Sequence, residues 1–128
     1  MKKQLISSGS PYEKSIGFSR ALKVGGTIHV SGTAPISPDG SAACPGDAYG
    51  QAKRCLEIIR AALEEGGGSL EQVVRTRIYV TDRAVWEEVA RAHGEVFSDI
   101  RPTSTLVIVK GFVDPDWLVE IEAECLTG

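Results

Sequence analysis

Trp117-Leu118-Val119-Glu120-Ile121-Glu122-Ala123-Glu124-Cys125-Leu126 alternates strictly between apolar and acidic positions over most of its length. Val119, Ile121, Ala123 and Cys125 share one side of an extended chain, and Glu120, Glu122 and Glu124 share the other. Neighbouring carboxylates on one sheet face repel each other unless cations stand across from them. A second alternating stretch, Val73 to Thr81, supplies them. There Val74, Thr76, Ile78 and Val80 take one parity, and Arg75, Arg77 and Tyr79 take the other. The two stretches predict one sheet with an apolar face for helices and an Arg/Glu-rich face. Tyr79, Leu106, Ile108 and Leu118 are expected on the charged face too, where a small monomer would leave them wet. Other subunits are therefore expected to cover that face.

Working outward, Ser19–Val24 and Thr27–Ser31 flank Gly25-Gly26 and read as a hairpin. Pro35, Pro38 and Pro45 make 33–46 a loop. From Asp47 to Glu65 the period becomes helical: Ala48, Ala52, Cys55, Ile59 and Leu63 form a stripe, with Asp47 as N-cap. Gly66-Gly67-Gly68 ends that helix; no Lys-Ser/Thr follows, so it is not read as a phosphate loop. Asp82 opens a second helix to Ser98, with Trp86, Val89, His93 and Val96/Phe97 on its stripe. His93 and His29 read as packing residues rather than catalysts. Strands over 104–110 and 117–126 close the chain. The order β-β-(β)-α-β-α-β-β describes an α+β sandwich, a mixed sheet with both helices on one face.

Composition narrows the function. The 128 residues, 42% hydrophobic and 24% charged, suit a single domain over 1–128. A net charge of −3 disfavours nucleic acid, whose affinity comes from clustered Lys and Arg. No apolar run is long enough for a membrane span, and Met1-Lys2-Lys3-Gln4 opens no secretory signal, so a cytoplasmic protein is expected. Cys44, Cys55 and Cys125 fit neither a disulfide framework nor a CxxC metal site. No metal or organic cofactor is expected.

Four segments in order resemble the RidA/YjgF family: Ile28-His29-Val30-Ser31-Gly32-Thr33-Ala34-Pro35, Val73 to Asp82, Arg101-Pro102-Thr103-Ser104-Thr105, and Leu118-Val119-Glu120-Ile121-Glu122-Ala123. The resemblance implies a chorismate-mutase-like fold and a homotrimer with a small-molecule cleft at each subunit interface. It also implies hydrolysis of imines or enamines such as 2-aminoacrylate to 2-keto acids and ammonia. By position, Glu120 matches the glutamate that orients the attacking water, and Ser31 and Gly32 match the pair lining the cleft. Phe18 stands where active members carry a tyrosine, and Leu106 where many carry a cysteine. Ser104 stands where the deaminases have their carboxylate-binding arginine, so altered or lost activity is expected. Arg20, sharing the parity of Phe18, is the replacement candidate; Arg75 or Arg77 of a neighbouring subunit are others. Ribonuclease activity, a label the family has also carried, is the weaker alternative, and chorismate mutase rests on fold analogy alone.

Overall fold

The computed structural model describes residues 2–128. Its sheet has six strands in the order β1-β2-β3-β6-β4-β5: β1 Lys3–Ile6, β2 Ala21–Val24, β3 Thr27–Thr33, β4 Val73–Val80, β5 Thr103–Ile108 and β6 Val119–Leu126. All neighbours are antiparallel except β4 and β5, which run parallel. Helices α1 (Ala48–Glu65) and α2 (Trp86–Phe97) pack on one face. The chain enters α1 through Asp47, whose carboxylate accepts the Gly50 N–H at 3.0 Å.

Alternation on β6 puts Val119, Ile121, Ala123 and Cys125 into the core, each no more than 3% exposed. Ile59, Leu63 and Cys55 of α1 meet them, with Val89, Ala92 and Phe97 of α2 alongside. On the open face Arg77 Nη1 lies 3.5 Å from Glu122 and 3.3 Å from Glu124. The Tyr79 hydroxyl also donates to Glu122. The cation and the acidic ladder thus meet as their parities require, through Arg77 rather than Arg75.

Several expectations are corrected. The added strand of the β-rich start is Lys3–Ile6, which pairs with β2. Val74 is 41% exposed, because a shift of register between Val73 and Arg75 puts Val73 into the core instead. Asp82 caps a short 3₁₀ turn, Arg83–Val85, which delays α2 and leaves Trp86 46% exposed. Leu106 and Ile108 are not on the charged face. They stand opposite Ile78 and Val80 in the parallel ladder and share the helix side, while Thr105 and Val107 accompany Arg77 and Tyr79. The apolar part of the open face is instead Leu5, Leu22 and Val107, the first 70% and the last 40% exposed.

Candidate functional site

Glu120 lies beside a fault in the sheet. β3 pairs with β6 from Thr27–Leu126 to Val30–Ala123, and the ladder resumes only at Thr33–Ile121. The extra residue bulges Ser31-Gly32 out of the ladder next to Glu120. A Cβ on Gly32 would sit 3.1 Å from Glu120 Oε1, so the missing side chain gives the carboxylate its room. Ser31 fastens the other side of the bulge: its hydroxyl donates to the Ser19 carbonyl at 2.7 Å and its N–H to the Arg20 carbonyl at 2.9 Å. Ser31 therefore holds the strand entering β2 against the bulge.

Phe18 and Arg20 arrive on that entering strand. A single wide turn, Glu13–Gly17, ends at Gly17 with φ of +95°, and the Phe18 N–H donates to the Glu13 carbonyl at 2.8 Å. The Arg20 guanidinium then lies 5.4 Å from the Phe18 ring centroid. Phe18, Arg20, Gly32, Trp117 and Glu120 line one cavity of about 180 Å³, mostly apolar, which Ile16 and Val113 help to close.

The electrostatics of this cavity are unusual. Arg20 is only 5% exposed, and its Nε has no hydrogen-bond partner among the described residues. It takes part in none of the ion pairs among the described residues. Burial lowers its pKa, and the charges of Glu13 and Glu120 work against that. Burial likewise raises the Glu120 pKa, opposed by Arg20 and reinforced by Glu122. A buried guanidinium and a half-buried carboxylate thus feel each other across the cavity without closing on each other. Such an arrangement can hold an anion at Arg20 and a water at Glu120.

A family model described as Endoribonuclease L-PSP matches residues 10–126. The chain belongs to the RidA/YjgF family. An uncharacterized protein of Streptomyces coelicolor is 38% identical over 123 residues, which is 96% of this chain and 91% of that one. A RutC family protein of Pyrococcus abyssi is also 38% identical, over 86% of this chain and 87% of its own. Among solved structures, a Mycobacterium tuberculosis member of the YjgF/YER057c/UK114 family superposes with a TM-score of 0.87 at 40% identity, covering 98% and 99% of the two chains. A Thermotoga maritima protein described as a putative endoribonuclease gives 0.86 at 29%, covering 100% and 99%.

In this RidA/YjgF chain, the two remaining residues singled out by position are elsewhere. Ser104 is exposed on edge strand β5, opposite Thr76, and Leu106 is opposite Ile78. Neither lines the Glu120 cavity. The Thr76 hydroxyl donates to Ser104 Oγ at 2.8 Å and meets His93 Nε2 at the same distance. With its one proton given to Ser104, Thr76 accepts from His93, which sets the imidazole tautomer. Burial lowers the His93 pKa, and its ring stacks at 4.6 Å on Phe97, so it is the hydrogen-bonded packing residue its stripe predicted. Within one chain, then, Phe18, Arg20, Gly32 and Glu120 line one cavity. Ser31 braces the bulge beside it but borders a separate hollow with His29, Arg77 and Glu122, and Ser104 and Leu106 lie away from the cavity. Arg101 precedes β5 in a left-handed turn with φ of +57°, outside any strand parity.

The site also includes Trp117, which the sequence reading placed only at a strand start. Its indole is 8% exposed and lines the cavity three positions before Glu120. No spacing rule marked it, because it lies in the turn before β6 rather than in the alternating run.

Proposed function

We propose that the protein is a homotrimeric small-metabolite enzyme of the RidA type, with clefts at its subunit interfaces, that hydrolyses short 2-imino acids or their enamines with a changed carboxylate anchor. One observation carries the reading: Arg20, buried and without an ion-pair partner among the described residues, shares a cavity with half-buried Glu120. In this scheme Arg20 holds the substrate carboxylate. Glu120 accepts a proton from water as the oxygen bonds to the imine carbon, giving a carbinolamine. The imine reacts in its protonated form, so Glu120 next returns that proton to the carbinolamine nitrogen. The C–N bond then breaks as the carbinolamine hydroxyl gives its own proton to Glu120, releasing ammonia and leaving the keto acid, and Glu120 passes the proton to solvent. Water is consumed and no electrons change hands, so the balance needs no cofactor.

The trimer is supported by the open sheet face, where Leu5, Leu22 and Val107 border the Arg77–Glu122–Glu124 cluster. A second reading, binding with altered specificity and no turnover, is favoured by Ser104, which cannot supply the charge expected at its position. Ribonuclease activity finds less support, since the chain carries a net charge of −3.

The test is keto-acid release from 2-iminobutanoate generated in situ by an amino-acid oxidase. Acceleration over spontaneous hydrolysis, lost in Glu120→Gln, is the expected result. Absence of any acceleration by the native protein would leave binding alone.

A further inference from the structure

The cleft does not end at Arg20. Past that guanidinium a second hollow of about 240 Å³ opens beneath the 33–46 loop, bordered by Arg20, Arg54 of α1 and Trp117. Its unpartnered buried side-chain atoms, among the described residues, are donors. Trp117 is 8% exposed and its indole Nε1, like Arg20 Nε, has no hydrogen-bond partner among the described residues. An indole N–H and a guanidinium can only donate. Arg54 is fixed by a 2.7 Å bond from its Nε to the Ile36 carbonyl, and its Nη1 stands a loose 3.9 Å from the largely exposed Glu57. Its terminal nitrogens therefore keep donor capacity.

The nearby carboxylates do not answer these donors. Glu13 Oε2 is occupied by the Ser8 and Ser10 N–H groups and the Ser8 hydroxyl. Asp114 borders the hollow, and its Oδ1 accepts the Asp116 N–H at 2.8 Å. Among the described residues, Asp114 is the one carboxylate bordering the hollow, and no carboxylate bonds the Arg20 Nε or the indole N–H. That balance calls for a ligand group rich in acceptors.

We propose that this hollow is a second subsite that receives a carboxylate at the far end of the substrate, which makes short dicarboxylic 2-imino acids the preferred class. The substrate part of this statement rests on the proposed Arg20–Glu120 hydrolytic site; the subsite itself does not. Arg20 borders both hollows, so a chain with its reacting end toward Glu120 extends its distal group toward Arg54 and Trp117.

The experiment is isothermal titration of the native protein with glutarate and with pentanoate, which match in carbon count and differ in one carboxylate. Glutarate is expected to bind at least about tenfold tighter, the worth of one charge-assisted hydrogen bond or more. Trp117→Phe, which keeps the ring and removes the N–H, and Arg54→Met should each bring that ratio toward one, with circular dichroism confirming the fold. Equal affinities, no glutarate binding, or a preference surviving both substitutions would overturn the subsite. A glutarate preference without imine turnover would sink the hydrolytic reading and keep the subsite; turnover of monocarboxylic imines without that preference would do the reverse.

Discussion

Replacing Arg20 by leucine should make the protein more stable and less active. The guanidinium is 5% exposed, has an unpartnered Nε and joins no ion pair among the described residues. Folding therefore bears its desolvation with little local return. Buried ion pairs exchanged for well-packed apolar side chains are often neutral or gain about 1–4 kcal/mol. Arg20 closes no ion pair among the described residues, so its loss strands no bonded partner and a gain at the low end of that range is expected. Even about 1 kcal/mol raises the melting temperature of a chain this size by roughly 3–5 °C. The same change removes the carboxylate anchor, worth about 1.5–3 kcal/mol, and so lowers kcat/KM about 10- to 150-fold. Thermal unfolding and imine hydrolysis on one preparation read both effects. A melting temperature several degrees lower with kcat/KM unchanged would show that Arg20 is a structural residue and refute the reasoning.

Burial raises the Glu120 pKa, so kcat/KM should climb with pH through a midpoint above the usual glutamate range of about 4.3. Arg20→Leu removes the charge opposing that shift and should move the midpoint higher still; a midpoint at the ordinary value in both proteins would contradict it. The stability linkage has the opposite sense: a raised folded pKa favours the protonated native state, so Glu120 contributes stability at low pH that is lost as pH rises through the folded pKa, and Glu120→Gln should flatten that part of the denaturation profile. Light scattering should give about three times the 13.7 kDa protomer mass, and Arg77→Ala should weaken assembly; a native monomer at micromolar concentration would sink the trimer. Native thiol labelling should modify exposed Cys44 quickly while sparing Cys55 and Cys125, which are buried and whose pKa values burial raises; fast labelling of either would contradict their placement.

Periodicity carried most of the fold. The alternation through Glu120, Glu122 and Glu124 and the α1 stripe have one consistent partner set, so reading either parity was enough. Strand β1 escaped because Lys3–Ile6 is a short edge strand with one buried residue. The parity of β5 was misassigned for a different reason: its residues are mostly exposed on both sides, so hydrophobicity could not say which side faces the helices. Only the parallel register with β4 decides that. In the site, Glu120 and Gly32 were recoverable from the strand pattern and the family resemblance. That Arg20 lies unpaired in the Glu120 cavity depends on the bulge at Ser31-Gly32, a three-dimensional fault with no local signature. Trp117 and Arg54 come from a turn and a helix distant in sequence, and only packing brings their donors to one hollow.

The most direct test of the account is a crystal structure of the protein soaked with 2-oxobutanoate, the keto-acid product of the proposed reaction. The carboxylate is predicted on the Arg20 guanidinium, with the carbonyl carbon turned toward Glu120 and Gly32. A keto acid whose carboxylate is held by a group other than Arg20, or one bound away from Glu120, would contradict it.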